Sequence, residues 1–181
     1  MKTKICGITT PEDLRLAAEA GADYAGIILA PGSKRYVSPA QLAALGQTPA
    51  AIRRVGVFVR AKPREIARAV RLGRLSVVQL YHCTFRRAGV SVWHATAQRG
   101  RKEAIVLDAA PGCGRVGDWA KAARLAKRTR LVLAGGLSPE NVAQAAAAVH
   151  PWCVDTASGT EAAPGRKDAG KVHDFIRKAI Q

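Results

Sequence analysis

Short apolar runs recur along the chain and alternate with segments of helical pattern. Most runs are apolar on both faces, which is typical of strands buried in a parallel sheet rather than of half-exposed strands. The eight candidate strands are KICGI (4–8), YAGIIL (24–29), RVGVFV (54–59), SVVQLY (76–81), VSVWHA (90–95), AIVLDA (104–109), RLVLAG (130–135) and WCVDTA (152–157).

A hydroxyl residue followed by proline stands at the start of several helical segments. Thr10-Pro11, Ser38-Pro39 and Ser138-Pro139 each combine a good N-cap with a residue suited to the first helical position. Pro63 begins a weaker copy that lacks the hydroxyl. The predicted helices are 11–20, 39–45, 63–72, about 117–128, 139–149 and 168–180.

This alternation predicts an α/β fold, namely a compact (β/α)8 TIM barrel that forms a single domain over residues 1–181. Such barrels typically contain ~250 residues, so this one is short. The segments HCTFRRAG and TAQRGRKE, after the fourth and fifth strands, are too short for full covering helices. We therefore expect helices 4 and 5 of the (β/α)8 pattern, which would follow the fourth and fifth strands, to be shortened or lost. A doubly wound open sheet of five or six strands is the alternative.

The chain is strongly basic, with 29 Lys and Arg against 13 Asp and Glu and a net charge of +16. Arg64, Arg68 and Arg71 share one helical face and leave the apolar residues on another, as in a solvated helix. No aromatic residues interleave with the basic runs, so a nucleic-acid partner is disfavoured. The charge fits better with a field that attracts a small anionic substrate.

Neither a membrane anchor nor a signal peptide is predicted, since no apolar run approaches the ~18 residues that span a bilayer. We therefore expect a cytoplasmic protein. The four cysteines, Cys6, Cys83, Cys113 and Cys153, lack metal-ligand spacing and are expected to be free thiols.

Candidate chemistry lies where the strands end, because barrel active sites form at the carboxyl ends of the strands. Cys6 ends the first strand, although cysteine by itself is more often a buried core residue. Asp108 ends the sixth strand. A carboxylate there is costly unless it is paired, hydrated or in a site, and a helix N-cap or a structural salt bridge explains it equally well.

Two glycine-bearing turns follow the seventh and eighth strands. Backbone N–H groups in such turns can hold a phosphate, and phosphate sites in this fold lie after these two strands. The candidate residues are Gly135 and Gly136 in the first turn and Ser158 and Gly159 in the second. Asp155, on the same strand face as Cys153, is either structural or positions substrate. Arg35 would ordinarily be a solvated surface residue.

Seven segments resemble the phosphoribosylanthranilate isomerase family of tryptophan biosynthesis. They are KICGIT, GIILAPGSKRYVSP, RVGVFV, VVQL, IVLD, LAGGLSPENV and VDTASGTEAAPGRKD. The resemblance implies a (β/α)8 barrel that converts N-(5′-phosphoribosyl)anthranilate into the 1-(2-carboxyphenylamino)-1-deoxyribulose phosphate by an Amadori rearrangement. The implied partner is a small anionic phosphosugar, and no cofactor or metal is implied. Both a monomer and a homodimer are compatible with the sequence.

The resemblance also assigns roles to residues. It implies Cys6 as general base, Asp108 as general acid and Arg35 as the contact of the anthranilate carboxylate, with Gly135, Gly136, Ser158 and Gly159 at the phosphate. Lys4 lies two residues before Cys6 on the same side of the strand, so its charge would favour the thiolate. Asp108 would need to be protonated to act as the acid.

The chain departs from the family pattern in two segments. Tyr81 stands where the family has histidine, and the glycine-rich loop after the sixth strand is shortened to PGCGRVGDW.

Two other functions remain as alternatives. One is the related, or dual-specific, aminoaldose isomerase of histidine biosynthesis, against which Cys6 argues because aspartate is expected at that position. The other is a degenerate basic barrel that acts as a binding protein.

Overall fold

Eight parallel strands form a closed barrel in the computed structural model, which describes residues 1–95, 104–108 and 118–180. Each strand pairs with the next in chain order, and β8 pairs with β1 to close the ring. The strands are β1 (Lys2–Cys6), β2 (Tyr24–Ile28), β3 (Arg53–Val59), β4 (Val77–Tyr81), β5 (Ser91–His94), β6 (Ala104–Asp108), β7 (Leu131–Ala134) and β8 (Cys153–Thr156). The predicted (β/α)8 barrel is confirmed, and the open-sheet alternative is wrong.

Six helices cover the outside of the barrel where the structure is described. They are α1 (Pro11–Glu19), α2 (Pro39–Gln47), α3 (Pro63–Leu72), α4 (Trp119–Ala126), α5 (Val142–Val149) and α6 (Ala169–Ala179). Thr10 and Ser38 are N-caps whose side chains accept hydrogen bonds from the backbone, as their sequence predicts.

The predicted start of α5 at residue 139 is wrong, because the helix begins at Val142. Asn141 takes over the turn before it: its side chain accepts the Ser138 N–H at 2.9 Å and donates to the Gly136 carbonyl at 2.9 Å. Ser138 therefore begins a polar turn rather than a helix.

The shortening of the barrel is visible after β4, where residues 82–90 contain no helix. The connection from β5 to β6 lies outside the described residues, as do residues 109–117, which include Cys113 and most of the shortened loop after β6.

Apolar side chains pack on both sides of the barrel wall. Those facing the helices form the larger core, with Ile5, Ile27, Leu80, Leu133 and Phe175 among its buried members. A smaller cluster lies inside the barrel, toward the amino ends of the strands, and contains Tyr24, Trp93 and Cys153. The buried polar side chains of Lys4, Gln79 and Asp155 lie within two residues of the carboxyl ends of β1, β4 and β8, and they position the site.

A hairpin follows the barrel strands, and the sequence pattern did not predict it. After β8 a short 3-10 turn (Ser158–Thr160) leads into two antiparallel strands, β9 (Glu161–Ala163) and β10 (Arg166–Lys167). This hairpin precedes α6 and returns to the mouth of the barrel. None of the described helices is long and apolar enough to cross a membrane.

Candidate active site

Cys6 lies at the carboxyl end of β1, with 8% of its surface exposed. Its side chain packs over Gly26 of β2, the register partner of Cys6. A Cβ atom at residue 26 would lie 2.6 Å from the Cys6 sulfur, so only glycine leaves room for the thiol. Glycine inside a strand often marks such a close approach.

A buried ion pair lies directly below Cys6. Lys4 on β1 and Asp155 on β8 are register partners, and Lys4 Nζ donates to Asp155 Oδ2 at 2.7 Å. The Lys4 side chain is fully buried and that of Asp155 is 7% exposed. Burial lowers the pKa of Lys4, but the neighbouring charges of Asp155 and Cys6 outweigh this effect and raise it overall. Lys4 therefore carries a positive charge inside the barrel.

Two opposing influences act on the Cys6 thiol. Burial raises its pKa, Lys4 lowers it, and the net direction is upward. The sequence predicted the sign of the Lys4 contribution. However, the pattern gave no indication that Asp155 neutralises that charge at close range or that burial dominates. A Cys6 thiolate therefore depends on Lys4 to offset part of the cost of burial.

Asp108 ends β6, on the other side of the barrel mouth, and is half-buried. Its strand pairs with β7 through Asp108 and Ala134. The charge of Asp108 contributes to raising the pKa of Asp155, after the larger effect of burial, so the two carboxylates are electrostatic neighbours. Cys6 and Asp108 both interact with the ion pair between them.

Tyr81 ends β4, and its hydroxyl accepts a hydrogen bond from Gln79 Nε2 at 3.0 Å. Burial raises the pKa of Tyr81 to about 12, with Lys4 opposing the shift. The residue that replaces the expected histidine is thus a neutral phenol beside the ion pair.

Two oxygen atoms next to this tyrosine and the ion pair, Gln79 Oε1 and Asp155 Oδ1, are buried without a hydrogen-bond partner among the described residues.

Arg35, in the loop between β2 and α2, is held by the β9–β10 hairpin. Its Nε and Nη2 atoms donate to the two carboxylate oxygens of Glu161 at 2.6 and 2.7 Å. Lys167 Nζ donates to the same carboxylate at 3.3 Å and to the Ala157 carbonyl at 2.9 Å. Burial raises the pKa of Glu161, but Arg35 and Lys167 outweigh it and hold the pKa below its usual range.

Gly7 allows this arginine to reach the site. It follows Cys6 with φ +80°, and a Cβ atom there would lie 2.6 Å from Arg35 Cδ. The arginine side chain therefore crosses the end of β1 next to Cys6. Its side chain is 21% exposed, so Arg35 is not the solvated residue that the sequence alone would suggest.

The two turns proposed for phosphate binding pack against each other. Gly135 and Gly136 have φ of +96° and +67°, and the 3-10 turn at Ser158 follows the next strand. Gly159 contacts the Leu137 carbonyl so closely that a side chain would collide with it. The first N–H groups of a helical turn lack intrahelical partners, so these turns can present donors to an anion.

Other described features lie away from this arrangement. A cavity of about 500 Å³ lies outside the barrel wall between α2 and α3, lined mainly by apolar side chains such as Leu42 and Phe58. None of the candidate site residues lines it. In the described residues no group of three or more His, Cys, Asp or Glu side chains could hold a metal ion.

Comparison with known proteins identifies the family. The model of the N-(5′-phosphoribosyl)anthranilate isomerase family matches residues 3–88 and 87–178. The chain belongs to this family. The isomerase of Pelobacter propionicus is 41% identical over 203 residues, covering 99% of this chain and 95% of the relative. That of Thermotoga maritima is 36% identical and covers 99% and 98%.

Solved structures of family members share the fold over the whole chain. A crystal structure of monomers generated from the dimeric Thermotoga maritima phosphoribosylanthranilate isomerase has a TM-score of 0.85 and 35% identity, covering 99% of this chain and 98% of that one. A phosphoribosylanthranilate isomerase in complex with reduced 1-(o-carboxyphenylamino)-1-deoxyribulose 5-phosphate has a TM-score of 0.84 and 34% identity, with the same coverage.

Four residues of this family member's barrel mouth did not stand out in the sequence: Gly26, Gln79, Glu161 and Lys167. A glycine within the apolar strand YAGII was a usable signal for Gly26. Glu161 and Lys167 gave no local signal, because their partners are far away in the chain. Arg35 and Glu161, for example, are 126 residues apart.

Proposed function

We propose that this isomerase of tryptophan biosynthesis converts N-(5′-phosphoribosyl)anthranilate into 1-(2-carboxyphenylamino)-1-deoxyribulose 5-phosphate by an Amadori rearrangement. In this proposal residues 1–181 act as one barrel domain on a small phosphosugar, without a cofactor or metal. One observation carries it: a family member matched over nearly its whole length has a thiol and a carboxyl group, Cys6 and Asp108, at the carboxyl ends of two strands of its barrel.

Asp108 acts as the general acid in the first step. It donates a proton to the ribose ring oxygen while the bond between that oxygen and C1′ breaks. The nitrogen lone pair forms the C1′=N bond of a protonated Schiff base. A half-buried carboxyl group at the carboxyl end of a strand is suited to this role, because barrel active sites form at that end of the strands.

Cys6 acts as the general base in the second step. It removes the proton from C2′, and the electron pair of that C–H bond neutralises the Schiff base to give an enolamine. The enolamine gains a proton at C1′ and loses its hydroxyl proton to become the ketone. No net oxidation occurs, because C1′ is reduced as C2′ is oxidised within one molecule.

Lys4 supports the base by stabilising the thiolate. The fully buried ammonium group is two residues from Cys6 and lowers the pKa of the thiol against the opposing effect of burial. A base is most effective when its pKa lies close to the working pH. Asp155 keeps Lys4 in place through their 2.7 Å contact.

Binding of the substrate uses two anion sites. The phosphate lies against the turns of Gly135, Gly136, Ser158 and Gly159, whose N–H groups suit an anion. The carboxylate of the anthranilate ring contacts Arg35. The net charge of +16 draws a substrate with two anionic groups to the protein.

The proposal is tested by incubating the purified protein with N-(5′-phosphoribosyl)anthranilate and following the loss of its fluorescence. Product identity is established by reduction with borodeuteride and fragmentation mass spectrometry, which finds deuterium at C2′ for the ketone product and at C1′ for reduced substrate. We expect loss of fluorescence well above the spontaneous rate and a trapped ketone. Background rates with this substrate would refute the proposal. Turnover of the histidine-pathway aminoaldose alone would then favour that isomerase, and salt-dependent DNA binding alone would favour a basic binding protein.

A further inference from the structure

Glu161 binds one edge of the Arg35 guanidinium, the edge formed by Nε and Nη2. It accepts from Nε and from one N–H of Nη2, at 2.6 and 2.7 Å. A guanidinium carries five N–H donors, so three remain on Nη1 and Nη2. These form the second fork of the group, which matches a carboxylate in bidentate geometry. The Arg35 guanidinium makes no other hydrogen bond within the described residues, and the side chain is 21% exposed.

The carboxylate of Glu161 is itself fixed from several sides. Lys167 Nζ lies 3.3 Å away and the Gly165 N–H lies 3.2 Å away, both from Oε1. The Glu161 side chain is 5% exposed and that of Lys167 is fully buried. Both belong to the β9–β10 hairpin, which the Thr9 hydroxyl ties to the loop after β1 by donating to the Gly165 carbonyl at 2.6 Å.

The charges of this cluster do not cancel. Arg35 and Lys167 each contribute a positive charge and Glu161 one negative charge, which leaves one positive charge among the directly paired side chains. The carboxylate of Asp13 accepts from the backbone N–H of Lys167 and interacts with its charge at longer range. The accessible edge of Arg35 is therefore where a further anion fits.

We propose that Glu161 is a positioning residue that presents the free edge of Arg35 to an aromatic carboxylate on the substrate, with Lys167 holding Glu161 in place. This inference rests on the proposed function and deepens it, since it names the group that sets specificity for the carboxylate. Glu161 does not contact the reacting atoms. Its role is to fix the plane of the guanidinium against Gly7, beside Cys6.

Two probes isolate the carboxylate. Reductive amination of ribose 5-phosphate with anthranilate or with aniline gives two phosphorylated amino-polyols that differ only in that group. The dissociation constants of both are measured by titration calorimetry with wild type, and their ratio is the carboxylate preference. Partial unfolding of a variant weakens the apparent binding of both probes by the same factor, so it leaves their ratio unchanged.

We expect wild type to prefer the carboxylate probe by at least ~10-fold, as for a charge-assisted hydrogen bond. Glu161→Gln should reduce the preference to about 3-fold or less while binding of the aniline probe changes little. Because this variant leaves Lys167 buried without its partner, the charge-balanced Glu161→Gln/Lys167→Met variant is measured as well and should give the same result. Glu12→Gln, the same change at an exposed ion pair, is the matched control and should retain the wild-type preference.

A wild-type preference in both Glu161 variants would overturn the inference, as would equal weakening of both probes, which indicates a merely structural role. If wild type binds neither probe, the proposed function itself fails. That outcome is distinct from an unchanged ratio in a protein that binds both.

Discussion

The buried ion pair of Lys4 and Asp155 gives a sharp prediction of stability. Lys4→Met removes the cation from the Asp155 carboxylate, whose side chain is 7% exposed and whose second oxygen has no hydrogen-bond partner among the described residues. Removing one partner of a buried pair typically costs ~3–5 kcal/mol, because the other charge is left uncompensated. In a domain of this size such a loss lowers the melting temperature by roughly 6–20 °C.

The chain offers a matched control on the same strand. Lys2 pairs with Asp23 at 2.6 Å, nearly the same distance as the 2.7 Å of the buried pair, but its side chain is 50% exposed. Exposed pairs are screened by water and contribute little. Lys2→Met is therefore expected to change the free energy of unfolding far less than Lys4→Met, as measured by urea denaturation followed by circular dichroism.

A double variant and the pH dependence sharpen this test. Lys4→Met/Asp155→Asn removes both charges and should recover a large part of the stability that Lys4→Met loses. In Lys4→Met the pKa of buried Asp155 rises further, so its destabilising effect should grow as pH rises above the ordinary aspartate value of ~3.9 and should shrink in acid. Equal losses in Lys2→Met and Lys4→Met, or a double variant as unstable as the sum of the singles, would refute the reasoning.

Two more predictions concern the thiol and the arginine that crosses β1. Alkylation of Cys6 by iodoacetamide, followed by peptide mass spectrometry, should rise with pH to a midpoint above the ~8.5 of free cysteine, because burial raises the pKa of this thiol. Lys4→Met should move that midpoint higher still, and a wild-type midpoint at or below ~8.5 would contradict this. Gly7→Ala should weaken substrate binding and lower stability, since its Cβ would lie 2.6 Å from Arg35 Cδ, at a positive φ that costs ~1–3 kcal/mol for other residues. Gly32→Ala has a similar φ of +89° and nothing within 4 Å, so it should lower stability, by thermal unfolding, without raising the KM that Gly7→Ala raises.

The barrel itself was predictable because its strands are apolar on both faces and its helices begin at recognisable caps. Thr10-Pro11 and Ser38-Pro39 are confirmed as helix starts. The helix predicted to start at Ser138-Pro139 was wrong. The Asn141 side chain accepts the Ser138 N–H and stabilises a turn there, so the helix begins only at Val142. Local patterns of this kind compete, and only the folded backbone decides between them.

From the sequence, the site residues that could be predicted are those at the carboxyl ends of strands. Cys6 and Asp108 could be found because a barrel gathers the carboxyl ends of its strands at one face. The pairing of Lys4 with Asp155 could not, since the two are 151 residues apart and meet only when β8 closes the ring on β1. For the same reason the sequence suggested a thiol whose pKa is lowered, whereas burial raises it.

The measurement that tests the central claim most directly is kcat/KM for loss of N-(5′-phosphoribosyl)anthranilate in Cys6→Ala and Asp108→Ala. General acid and base groups typically contribute ~10²–10⁴-fold, so each variant should lose at least ~10²-fold. Cys83→Ala, at a half-buried thiol, and Asp174→Ala, at an exposed ion pair on α6, should remain within about 2-fold of wild type. Wild-type kcat/KM in Cys6→Ala or Asp108→Ala would contradict the account.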